Sequence, residues 1–452
     1  MKKLFTLLLL AFMAVGVYAQ EKVVYLGSHI LNWDTTPISF SSFAENDIII
    51  VDGSLDGGNN HQIIMRADQT NISPTFSKAK NAYQLTAENA SALNSSKLNI
   101  YGTGYTNNKI SIIAQQTITD TSLPFDQSSS VEESNKLQLK VDAIKDLAAG
   151  DVIGFVLDPS ASAQSWAQIR LQGQSGESWT WKDFIGFTDV YQNSIYEYTV
   201  QESDVEFFSN PKAFWAIGKY IKVLAVYVLK ESDTYVLSPS NNDVDVASLP
   251  NTAINVELAR QFSSGWNSLC LPFNAAVSTI AADAELFEFT SATSESVTLT
   301  KKNSGEIVAG TPYLVKLSSN SSETTTFTNV SVTASTAGST STYGGLTFKG
   351  NYEAGFDMTD KYGVAYSSDS WYIMKGGANA TGKAFSAYFE ETVPSPAPTR
   401  GFNIITGDGT TKINTVEKVE EGDGEIYNLM GVRTSAPRKG LYIKNGKKYI
   451  VK

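Results

Sequence analysis

Trp166-Ala167-Gln168-Ile169-Arg170-Leu171 is the stretch on which the fold turns. Alternate residues of a strand share a face, so Ala167, Ile169 and Leu171 point into a core while Trp166, Gln168 and Arg170 point away from it. Working outward, Gly150-Asp151 reads as a turn feeding a buried apolar run, and Trp179-Thr180-Trp181 repeats the alternation with two indoles on one face. The span from Gly150 to Trp181 therefore reads as two or more strands of a β-sandwich that present aromatic rings on one surface.

The rest of the chain supports strands. Of 452 residues, 42% are hydrophobic and 11% aromatic, with Thr, Val, Ile and Tyr gathered in short runs that suit a pleated sheet. An all-β protein follows, and at ~100 to 200 residues per domain its length calls for two to four domains. A net charge of -11 argues against nucleic acid, whose phosphates require a basic face. The chain has two histidines, His29 and His61, and one cysteine, Cys270. That scarcity removes most His-based triads and Cys/His zinc sites, so neither a metal nor a cofactor is expected. Cys270, between Leu269 and Leu271, reads as a small buried apolar residue.

Lys2 and Lys3 precede an apolar run from Leu4 to Val17, and Val17-Tyr18-Ala19 then leads to Gln20. This pattern predicts a signal peptide over residues 1–19. No later run approaches the ~20 apolar residues of a bilayer-spanning helix, so no transmembrane segment is expected in the mature chain.

Strand-like segments recur at Val23 to Leu26, Ile48 to Val51, Gln62 to Arg66, Tyr83 to Thr86 and Lys109 to Ala114, and a matching series follows from Lys136 onward. Asn46-Asp47-Ile48 matches Gly150-Asp151-Val152, Gln62-Ile63-Ile64-Met65 matches Gln168-Ile169-Arg170-Leu171, and Tyr83-Gln84-Leu85-Thr86 matches Tyr196-Glu197-Tyr198-Thr199. Gly104 with Ile110 and Ile112 matches Gly218 with Leu224 and Val226. Four correspondences in one order predict a tandem duplication of one β-domain. The units are 20–116 and 136–232, with polar linkers at 117–135 and 233–252. A third β-rich unit, 253–392, precedes a linker at 393–424 and a tail at 425–452. In the tail, Gly440 to Lys452 reads as a hairpin around Asn445-Gly446, since Asn-Gly suits a two-residue hairpin turn.

Three resemblances attach to these residues. Phe214-Trp215-Ala216-Ile217-Gly218-Lys219-Tyr220-Ile221-Lys222-Val223-Leu224-Ala225-Val226-Tyr227-Val228, after a strand such as Ala167 to Leu171, resembles the galactose-binding-like jelly rolls of secreted Bacteroidetes proteins. That resemblance implies tandem jelly-roll sandwiches and carbohydrate binding. Gly265-Trp266-Asn267-Ser268-Leu269-Cys270-Leu271-Pro272-Phe273 and Ala309-Gly310-Thr311-Pro312-Tyr313-Leu314-Val315-Lys316 resemble an accessory domain of such proteins. Ile426-Tyr427-Asn428-Leu429-Met430-Gly431-Val432-Arg433, with the basic hairpin after it, resembles the C-terminal sorting signal of the type IX secretion system. It implies export machinery as a partner and a place outside the cell or on the outer-membrane surface.

Sugar rings have apolar C–H faces and hydroxyl rims, so aromatic platforms flanked by amide and guanidinium groups suit them. Trp166, Gln168, Arg170, Trp179 and Trp181 are accordingly the candidate ligand-binding residues, and Trp215, after Phe214, reads as structural. The first unit carries His61 rather than Trp near Gln62, so it reads as a spacer or a reader of a different ligand. Asp52 to Asn59 reads as a polar hairpin in preference to a calcium loop, lacking a distal bidentate Glu. No catalytic constellation stands out. The expected function is non-catalytic glycan binding, with a structural or adhesive surface protein as the alternative and a glycoside hydrolase behind both.

Overall fold

The computed structural model describes residues 20–40, 42–127, 136–161, 165–177, 179–230, 233–392 and 401–407, and the backbone of four short strands between 426 and 451. The expected signal peptide lies outside the described residues. The protein is all-β, about 53% strand against 7% helix, and its helices are short loop-closing segments such as Ala87–Asn94 and Val205–Ser209.

The first unit contains β1 (Glu21–Ile38), β2 (Ile48–Leu55), β3 (Gln62–Ala67), β4 (Thr70–Asn71), β5 (Lys80–Gln84) and β6 (Leu98–Ile113). In the second are β7 (Phe125–Gln127), β8 (Leu137–Leu139), β9 (Val152–Leu157), β10 (Gln168–Ser175), β11 (Thr180–Asp189), β12 (Ile195–Thr199), β13 (Pro211–Lys219) and β14 (Ile221–Leu229). These eight strands form two antiparallel sheets, β7-β14-β9-β12 and β8-β13-β10-β11, which is a jelly-roll order. Between the sheets lies a core of Phe155, Ile169, Leu171, Phe208, Phe214 and Val226, among others. The stretch at 117–135, polar enough to read as a linker, supplies β7, which pairs with Ile221 to Val223.

The first unit runs the same path through fewer, longer strands. β6 pairs β3 through Leu98–Thr103 and β2 through Tyr105–Ile113, while β1 pairs β6 along its whole length with bulges. Local hydrogen bonds repeat as well. The Asp47 and Asp151 carboxylates accept from the Ala44 and Ala148 N–H groups at 2.8 and 2.7 Å. Their carbonyls accept from the Leu85 and Val200 N–H groups, both at 2.8 Å.

Register corrects one correspondence. Ile63 pairs Gly102 and Ile169 pairs Gly218, so Gly218 matches Gly102, and Gly104 matches Tyr220. Both of the latter are left-handed, at φ 68° and 55°. Likewise Ile110 and Ile112 face Val51 and Ile49 as Val226 and Val228 face Phe155 and Ile153. The alignment of Gly104 with Gly218 is two residues out, and a shift of two leaves alternation unchanged, so the apolar pattern alone does not reveal it.

All four of Ile48, Ile49, Ile50 and Val51 are buried. Ile49 and Val51 fill their own unit's core, whereas Ile48 and Ile50 join Ala82 and Ile113 against Val156, Ile195, Ala225, Tyr227 and Leu229 of the second unit. The two jelly rolls thus stack through one sheet each, which explains why these strands read as unbroken apolar runs.

The segment at 233–252, also read as a linker, carries β15 (Thr234–Leu237). It lies parallel to both β1 and β16 (Ala253–Leu258), and β16 pairs in turn with Thr325–Ser331. Sheet structure therefore runs continuously from the first unit into the third. There, nine further strands form a sheet around Trp266, Phe289, Phe348 and Phe389. One of them, Phe402–Gly407, comes from the span 393–424 and lies parallel to Ser296–Lys301. Cys270 is fully buried, and burial pushes its thiol up to about 12.

The tail strands Ile426–Asn428, Arg433–Thr434, Gly440–Lys444 and Lys447–Val451 form a small antiparallel sheet. Lys444 pairs Lys447 across the last two of these strands, and the expected Asn445-Gly446 turn lies outside the described residues. No helix among the described residues is long and apolar enough to cross a membrane.

Candidate ligand-binding face

The outward surface of the β8-β13-β10-β11 sheet collects most of the polar and aromatic groups flagged by sequence. Alternation in β10 buries Ile169, Leu171 and Gly173 and turns Gln168, Arg170, Gln172 and Gln174 outward. In β13, Phe214 and Ala216 enter the core, so Trp215 faces out. β11 is the edge strand, and its pairing sets Trp181 beside Gln174, Asp183 beside Gln172 and Asp189 beside Gln168.

Trp181 is 55% exposed and stacks on Trp215 with ring centroids 5.5 Å apart and planes 28° from parallel. The Lys136 ammonium lies 5.0 Å from the Trp215 ring centre and 5.5 Å from that of Trp181, in cation–π range. Trp215 Nε1 donates to Gln138 Oε1 at 3.2 Å. Arg170 Nη2 and Gln172 Nε2 both donate to Asp183 Oδ1, at 2.8 and 3.0 Å, and Gln168 Nε2 donates to Asp189 Oδ1 at 3.0 Å. These bonds hold a row of amides, carboxylates and one guanidinium in defined positions beside the indole pair, with Phe187 under Arg170 at 5.7 Å. From Gln168 to Gln174 the strip runs about 20 Å at ~3.3 Å per strand residue, room for several linked rings.

β11 is anchored from behind. Asp204, 4% exposed, lies 2.8 Å from the Lys182 ammonium and accepts from Tyr198 OH and from the Gln201 N–H. Burial opposes its charge, yet the bonds from Lys182, Tyr198 and Gln201 outweigh burial and hold the carboxyl below the usual aspartate range.

Of the candidate residues, Gln168, Arg170 and Trp181 share this face. Trp179 does not follow the alternation expected from Trp181. It sits at φ 52° in the turn before β11 and is 54% exposed, because a residue outside the ladder escapes the period-two rule. Trp166 precedes β10, edge-on to Tyr220 at 5.8 Å, at the opposite end of the strip from Trp181. The ring that completes the platform is Trp215, which sequence reading assigned to packing. The signal was present: with Phe214 and Ala216 inward, the residue between them points outward.

The rings of this face offer flat apolar area, and the polar groups around them offer donors and acceptors at set places. No family model matches this chain, no curated protein matches it, and no solved structure matches it.

Proposed function

We propose that this is a non-catalytic carbohydrate-binding protein, exported and displayed at the bacterial surface, whose second jelly roll takes glycan on the Trp181–Trp215 face. The observation that carries the reading is the stacked indole pair, Trp181 exposed and Trp215 half-buried beneath it, flanked by Gln172, Gln174, Arg170 and Asp183. A stacked pair left open to water loses contact area that a sugar ring's C–H face restores, and the adjacent amides suit the hydroxyl rim. Export machinery is the partner of the tail, which supports the surface location through its resemblance to type IX sorting signals.

A glycan array probed with the intact protein, followed by calorimetry on the best ligand, tests this. Trp181→Ala and Trp215→Ala are each expected to weaken binding about tenfold, the equivalent of ~1.4 kcal/mol, with an unchanged circular dichroism spectrum. No glycan bound by the wild type, or wild-type affinity retained by both variants, would falsify the reading. The same surface would then be assigned to protein adhesion, the alternative that open rings such as Trp179 and Phe187 also fit.

A further inference from the structure

The first jelly roll has an outward face of its own, on the sheet formed by β1, β6 and β3. Ile63 and Met65 are fully buried, which turns Gln62, Ile64 and Arg66 outward. Tyr101, opposite Ile64, faces the same way. The Arg66 guanidinium carbon lies 3.5 Å from the centre of the Tyr101 ring, and Arg66 Nε donates to Asn71 Oδ1 at 2.8 Å. On the same tyrosine sits Trp33, its ring centroid 6.1 Å away and 54% exposed.

Two features set this cluster apart from packing. Arg66 is stacked and its Nε is tied, so its outer nitrogens are oriented before anything binds. Yet no carboxylate among the described residues lies within 4 Å of it, although the chain carries 46 acidic against 35 basic residues. On the second unit the outward-facing arginine, Arg170, is by contrast paired with Asp183 at 2.8 Å. The nearby acid Asp34 is turned elsewhere, accepting from the Thr35 N–H at 2.7 Å and standing 3.6 Å from His29 Nε2. Trp33, for its part, is held at φ 58° within a bulged stretch of β1, a costly backbone for a bulky residue and one that keeps the indole out in water.

We infer that this face is a second ligand site, specific for acidic glycans. A uronate carboxylate takes the outer nitrogens of Arg66 in a forked pair, the geometry in which guanidinium recognises carboxylate. The apolar face of the same or the neighbouring ring lies on Trp33. This site shares no residue with the Trp181–Trp215 platform and stands or falls independently of it.

The test uses the full chain carrying Trp181→Ala and Trp215→Ala, so that any binding read comes from elsewhere. Titration with oligogalacturonate is expected to give binding that weakens as salt rises, and its methyl ester, which lacks the charge, is expected to bind at least about tenfold more weakly. Arg66→Met keeps the apolar stem on Tyr101 and removes the charge. Trp33→Gly removes the ring and relaxes the left-handed backbone. Each is expected to lower oligogalacturonate affinity about tenfold or more while the melting temperature holds, with Arg66→Lys intermediate. The inference is overturned if oligogalacturonate does not bind, if acid and ester bind alike, or if Arg66→Met binds as its parent does.

Discussion

Gly154 and Ile50 occupy equivalent places on the stacked sheets of the two jelly rolls, and the difference between them is imposed by one ring. A Cβ on Gly154 would come within 2.0 Å of the Tyr227 ring, which is fully buried between the units and donates its hydroxyl to Glu197 Oε1 at 2.6 Å. Gly154→Ala is therefore expected to destabilise the protein by about 1–3 kcal/mol through overpacking, measured by chemical denaturation. Adding Tyr227→Leu should recover part of that loss, and a single variant as stable as the wild type would show that the ring moves freely. At this scale the sequence is legible only where alternation is unbroken. It identifies Gln168 and Arg170 as outward, but it fails at Trp179, which lies in a turn.

Edge strand β11 carries Trp181 and has one neighbour, β10, so its position depends on what holds it from behind. Asp204 does so through Lys182. Its carboxyl titrates below its unfolded value of about 3.9, so the stabilisation is complete above that value and is lost as pH falls through the lower folded one. Asp204→Asn is expected to cost about 1–3 kcal/mol at pH 7, and the gap between variant and wild type should close in acid. Thermal unfolding followed by tryptophan fluorescence across pH checks this, and a gap independent of pH would show that the charge contributes nothing. Two short elements escaped sequence reading for a physical reason. β7 and β15 have three and four residues, too few to display a period, and both sit in polar stretches that look like linkers.

At the scale of the molecule, the jelly rolls stack back to back, so the Arg66 and Trp181 faces point in opposite directions. At ~10 Å between packed sheets the four layers place them about 30 Å apart. One short oligosaccharide cannot bridge them. The stack is sealed by the apolar cluster around Ile50 and Tyr227, by the Lys80–Glu197 ion pair and by Ala82 N–H donating to Ser194 Oγ at 3.0 Å. Ile50→Asp puts a charge into this apolar cluster and is expected to raise hydrogen exchange in β2, β9 and β14 together. Exchange raised in β2 alone would mean that the units do not support each other. β15 ties the first unit to the third, helped by Lys109, which reaches Glu21 at 3.0 Å and Asp233 at 2.6 Å.

What the sequence determined by itself is local. Branched and aromatic runs made the protein all-β, repeated turn-and-strand signals exposed the duplication, and Asn445-Gly446 marked a two-residue hairpin. Each depends on neighbours a few residues away, where side-chain period and turn chemistry are legible. Register, stacking and the composition of the faces were decided by tertiary structure. Alternation looks the same after a shift of two, so Gly104 had to be placed by its partners across the sheet. Trp181 and Trp215 lie far apart in the chain and meet only because β10 pairs with both of their strands.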